Sequence, residues 1–170
     1  MKEISYKDLQ LNPMTMIDST WWLITAGNEA DGYNTMTASW GHLGSIWGHE
    51  AESASAVIYI RPQRFTKQFV DREERFTLSV MGREHQKELA YLGSHSGRDE
   101  DKLAAVGMKP LFLDGTTAIE GAEIVFVCKK LYSAPLIEEG FTEKELVNRC
   151  YPERDFHTMI VGRIEKVYVK

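Results

Sequence analysis

The hydrophobic pattern of this chain is one of apolar, β-prone runs and stretches that alternate at a period of two. Trp21-Trp22-Leu23-Ile24-Thr25-Ala26 is apolar and β-prone and predicts a first strand. Asp31-Gly32, inside Asn28–Tyr33, is a strong tight-turn signal. Beyond it, Thr35, Thr37 and Ser39 alternate with Met36, Ala38 and Trp40, which predicts a strand with one hydroxyl-rich face and one apolar face. The two strands therefore predict a hairpin. Gly41 and Gly44 break the second strand, and Trp47 falls on the loop that follows. Ala54–Ile60 reads as a buried strand stopped by Pro62. Arg75–Val80 and Ala122–Leu131 read as strands, Lys109–Leu113 as a short one, and His157–Val169 as a long one bent at Gly162.

Helical spacing is confined to short stretches. Thr66 is placed to cap a helix through Val70, with Phe65, Phe69 and Val70 facing inward. Glu84–Leu92 carries Leu89 and Leu92 on one side and stops at Gly93. Lys102–Val106 is closed by Gly107, and Thr142-Glu143-Lys144-Glu145 fits a capping box opening a helix to about Cys150. Residues 1–20 read as a lead-in broken at Asn12-Pro13. Strands outnumber helices and come in hairpin-like runs, not in strand–helix alternation. The pattern predicts a mainly β protein, an antiparallel barrel with helices packed outside.

At 170 residues the chain is read as a single domain, 1–170, large enough to bury a core without staples. Acidic and basic residues are interspersed around a formal net charge of −5, with no Lys/Arg run, which argues against nucleic-acid or anionic-membrane partners. No membrane-length apolar run or signal-peptide h-region is present, and Cys128 and Cys150 lack any metal-ligand spacing. Reduced thiols and a cytoplasmic location are the expectation. None of the five histidines pairs with a carboxylate at metal-site spacing, so no metal is expected. P-loop, Rossmann and nucleophile-elbow motifs are absent.

Three groups carry candidate chemistry. Asn34–Trp47 combines small residues, exposed backbone donors and the indoles of Trp40 and Trp47, which suits a flat heteroatom-rich ring. Arg61-Pro62-Gln63-Arg64-Phe65-Thr66 sets two guanidinium groups beside a helix N-terminus, an arrangement suited to an anion. Ser94-His95-Ser96-Gly97, with Lys102 downstream, offers short donors and a point charge. Each group has a plainer explanation: an amphipathic strand with a Gly-rich turn, a routine strand end, and a polar interhelical loop. Trp40 and Trp47 also fit as core indoles. Taken together, the three groups are the parts of a flavin mononucleotide (FMN) site, though spacing alone does not bring them together.

Asn34–Gly41, Arg61–Thr66 and Phe76–Val80 together resemble the flavin reductase-like family. The Trp40-Gly-x-x-Gly-x-x-Trp47 spacing is similar to the flavoredoxin-type branch, and Ser94–Gly97 and Asp155-Phe156-His157 with Gly162 match approximately. The sequence departs from the family pattern in lacking a proline in Glu50–Ser55 and in the residue inserted before His157. The resemblance covers about residues 14–168. It implies an FMN-binding split antiparallel Greek-key β-barrel that forms a homodimer. It further implies an oxidoreductase passing hydride from NAD(P)H to flavin, or an electron carrier working with a partner protein, or a flavin-binding module that has lost catalysis. On this resemblance the backbone of Thr37, Ala38 and Ser39 would approach the ring, and Asn34, Thr35, Met36, Trp40 and Trp47 of the same stretch are the further cofactor-binding candidates. Arg61, Arg64, Phe65, Thr66, Ser94, Ser96 and Gly97 would hold the ribityl phosphate, with Lys102 as the candidate for an added point charge. His157 would lie near the ring as the candidate catalytic residue.

Overall fold

The computed structural model describes residues 1–170. In chain order the elements are β1 (Lys2–Ile4), α1 (Pro13–Thr15), β2 (Trp22–Asn28), β3 (Gly32–Ala38), β4 (Gly41–Ser45), β5 (Ala54–Ile60), α2 (Phe65–Arg72), β6 (Arg75–Val80), α3 (Gln86–Ser94), α4 (Lys102–Ala105), β7 (Pro110–Leu113), β8 (Thr116–Ile119), β9 (Ile124–Pro135), α5 (Lys144–Cys150) and β10 (Thr158–Val169). A π-helical turn, Met16–Thr20, joins α1 to β2.

The main sheet runs β3-β2-β6-β9-β10-β5-β4, with β1 added to β10, and β7-β8 forms a separate hairpin. Every pairing in it is antiparallel. The order has two free ends, β3 and β4, so the barrel is split and not closed.

Strand alternation sorts the apolar residues into two cores. Trp22 and Ile24 of β2, Phe76 and Leu78 of β6, and Phe126 and Cys128 of β9 fill the barrel interior together with Ile58 and Ile160. The opposite faces of β2 and β9 carry Leu23, Val125 and Val127, which pack under Leu89 and Leu92 of α3 and Leu103 of α4. Two strands buried on both faces explain why β2 and β9 read as continuous apolar runs. Burying each such large side chain stabilises the fold by about 1.5–3 kcal/mol.

Several local expectations need correction. Gly41–Ser45 is strand β4, because it pairs along its length with β5 from Gly41↔Ile58 to Ser45↔Ala54. A side chain at Gly41 would collide with the Trp22 indole, its Cβ falling 2.2 Å from the ring, so this glycine answers a packing need and does not end the sheet. Thr66 is not an N-cap: Arg64 occupies that position with no side-chain cap bond, and Thr66 lies inside α2. The Thr142 capping box does not form either, because α5 begins after Glu143 with no side-chain cap. β8 follows the Asp114-Gly115 turn, where no strand is evident from the sequence. The bend at Gly162 is present as a register shift against β9. Cys128 and Cys150 are free, and no helix is long and apolar enough to cross a membrane.

Candidate functional site

The fold brings the three sequence groups to one groove. At one end lies a cavity of about 430 Å³, bounded by Asn34 and Met36 of β3, the Arg61–Thr66 segment, the Ser94–Arg98 loop and Lys102. Four cations line it (Arg61, Arg64, Arg98 and Lys102), and no carboxylate does. At the other end lies a smaller cavity of about 260 Å³, lined by Thr37, Ala38, Ser39, Trp40, Tyr59 and His157. Met36, Arg61 and Arg64 border both, so the two adjoin.

Hydrogen bonds fix the cationic end. The Asn34 side-chain amide donates to Thr66 Oγ1 at 2.7 Å, tying β3 to the start of α2. With no side-chain cap on α2, and with the Arg64 and Lys67 N–H groups already bonded to Arg61 O and Arg64 O, the N–H groups of Phe65 and Thr66 are left to meet an anion. Arg64 donates to Gly93 O at 2.8 Å, and Lys102 Nζ donates to Leu92 O at 2.8 Å and His95 O at 3.2 Å. Both cations thus satisfy carbonyls at the negative end of α3 and hold the Ser94–Gly97 loop in place. Gly97 makes this possible: a Cβ there would lie 2.1 Å from Asn34 Oδ1. Lys102 is buried, and burial, reinforced by the Arg64 charge, pulls its ammonium down to about 8. A bound anion would oppose that shift.

Arg61 links the cationic end to the C-terminal part of the chain. It pairs with Asp155, donates to Cys150 O at 2.8 Å, and lies over the Tyr151 ring. Gln63 also donates to Asp155, at 2.7 Å, and these bonds hold the Asp155 carboxyl below the usual carboxylate range.

His157 and Trp40 form one wall of the ring end, their rings 4.8 Å apart. His157 is buried, its Nδ1 is 2.9 Å from the Tyr151 hydroxyl, and burial followed by the Arg61 charge lowers its pKa to about 4. The imidazole is therefore neutral at physiological pH.

All but two of the sequence-predicted residues border this groove. The Thr35 hydroxyl bonds with Thr25 Oγ1 at 2.8 Å inside the β2–β3 pair. Trp47 is 60% exposed and packs on Tyr132, away from both cavities. Thr37 borders the ring end, while its hydroxyl donates to Leu89 O of α3. Ser94 bends its hydroxyl back onto Ala90 O at 2.9 Å. Sequence reasoning missed Tyr59, Arg98, Tyr151 and Asp155. Tyr59 had a signal, since it is the half-buried position between the buried Ile58 and Ile60. The other three are placed by folding, with no periodicity to mark them.

Comparison with known proteins places this geometry. The fold is that of the FMN-binding split barrels. An FMN-binding protein from Thermus thermophilus with bound p-hydroxybenzaldehyde superposes with a TM-score of 0.67 at 23% identity, over 89% of this chain and 71% of the other. The flavoredoxin of Desulfovibrio vulgaris (Miyazaki F) gives 0.68 at 19% identity, over 100% of this chain and 77% of the other. The styrene monooxygenase flavin reductase from Pseudomonas putida S12 gives 0.61 at 15%, over 88% and 79%. No curated protein gives a significant match. The flavin reductase-like domain model matches residues 14–170, and the chain belongs to that family.

Proposed function

We propose that this protein binds FMN and acts as an oxidoreductase of the flavin reductase type, with NAD(P)H as hydride source. The observation that carries the proposal is the two-ended groove, with four cations and no carboxylate at one end and strand backbone, an indole and a neutral imidazole at the other. Its residues fit the cofactor's donor set: the cationic cavity suits a phosphate, and the adjoining cavity suits a planar ring. Arg61, Arg64, Arg98, Lys102 and the open N-terminus of α2 would hold the phosphate, with Ser94, Ser96 and Gly97 closing over it. Thr37-Ala38-Ser39, Trp40 and His157 would seat the ring. Bound FMN supplies hydride uptake at its N5, which no side chain here can perform. The protein's part is to orient and exclude. A neutral His157, held by Tyr151, adds no charge beside the ring and keeps a ring nitrogen for hydrogen bonding. The two free cysteines fit a reducing compartment, in accord with a cytoplasmic location. A homodimer, as the family resemblance implies, would enclose the exposed side of Trp40.

Anaerobic mixing of the purified protein with NADH or NADPH tests the proposal. Rapid bleaching near 450–460 nm, roughly where oxidised flavin absorbs, is expected. The flavoredoxin likeness, which spans the whole chain, supports a second reading as an electron carrier. Bleaching by a reduced partner protein alone, with none by nicotinamide, would favour it.

A further inference from the structure

Beside the ring end of the groove lies a third chamber, of about 600 Å³, within the range of small-molecule sites. It adjoins the ring end and shares Ser39, Trp40 and Tyr59 with it. Its far side is built by Met14 and Ile17 from the N-terminal turn, Leu43 of β4, and Leu136. Seven of its twelve lining residues are hydrophobic, and none is Lys or Arg. Its one acidic side chain is Asp18. A dinucleotide brings two phosphates, and no cation lines this chamber to receive them; Arg61 and Arg64 reach only as far as the ring end. A hydrocarbon is not the best fit either, because the His42 ring and the Tyr59 phenol, 5.9 Å apart, set polar groups on the wall. Burial raises the Tyr59 pKa, so the phenol keeps its O–H at neutral pH.

We propose that this chamber binds an uncharged planar aromatic carbonyl compound of the quinone class, held between apolar walls with its carbonyl toward Tyr59 and His42. Its role as electron acceptor rests on the proposed function, whereas its occupancy does not. In that role the quinone gains two electrons and two protons to become hydroquinone. NAD(P)H gives a hydride equivalent and becomes NAD(P)⁺, and solvent gives the second proton.

The test is a titration of the full-length protein, carrying [methyl-¹³C]methionine, with menadione, and flavin content is recorded on the same samples. A saturable shift of the Met14 methyl is expected, with the buried Met81 unmoved. Leu43→Glu should weaken that binding at least tenfold, and Leu136→Glu provides the same test should the first variant fold poorly. Arg64→Ala separates the two claims: it should lower flavin content and leave the Met14 shift intact. No Met14 shift in the wild type would overturn the assignment. So would a shift that survives in folded Leu43→Glu or Leu136→Glu, or displacement of menadione by equimolar NAD⁺.

Discussion

Arg61 differs from the other cations of the groove in having a carboxylate partner, Asp155, as well as a backbone acceptor. Arg61→Ala therefore removes a charged ligand for phosphate and strands Asp155. Loss of one charge-assisted bond of about 1.5–3 kcal/mol predicts FMN binding weakened about 10- to 150-fold. Fluorescence titration with FMN measures this, and an unchanged dissociation constant would remove Arg61 from the site. Lys102 makes a pH-dependent prediction. With its pKa at about 8, it loses charge as pH rises through that value, so FMN affinity should fall there. The fall should be shallower in Lys102→Gln, and parallel pH profiles in the two proteins would contradict this. His157 acts on stability. Its folded pKa of about 4 lies below the ordinary value of 6.5, so between these the unfolded chain binds more protons. The neutral buried imidazole thus favours folding above about pH 6.5, and that contribution is lost as pH falls toward 4. His157→Gln should flatten the acid limb of the stability curve, which urea melts at stepped pH would reveal.

At the level of elements, glycines mark where parts of the chain touch. A side chain at Gly162 would meet the Phe76 ring at 2.6 Å, at the register shift in β10. Gly162→Val should cost about 1–3 kcal/mol through overpacking, read from urea melts. Gly97→Val would push the Ser94–Gly97 loop off Asn34 and open the phosphate end. Much of this was legible in the sequence. Period-two runs marked β3 and β6, apolar β-prone runs marked β2, β5 and β9, and Leu89 and Leu92 marked the buried side of α3. β4 was not legible: its glycines argue against a strand by propensity, yet the segment pairs along β5, and Gly41 is required by the Trp22 indole packed against it. Thr66 looked like a cap because its type suits one. Its hydroxyl is instead the acceptor that ties Asn34 to α2. The motif residues were identified by type and order, while the contacts of Tyr151 and Asp155 with Arg61 exist only because β10 pairs beside β5 and brings the C-terminal segment there.

At the scale of the molecule, an acidic chain of net charge −5 gathers four cations around one cavity. Segments more than twenty residues apart in sequence (β3, the start of α2 and the loop after α3) supply its walls. The split in the barrel leaves β3 as a sheet end, with its outer backbone edge available to a ring. Charge at one end, flat walls at the other and a cation-free chamber beyond give the groove a direction. A crystal structure grown with excess FMN tests this most directly. The phosphate should lie among Arg61, Arg64, Lys102 and the Ser94–Gly97 loop, with the ring along Thr37–Ser39 beside Trp40 and His157. A flavin bound on another face, or none at saturating concentration, would contradict it.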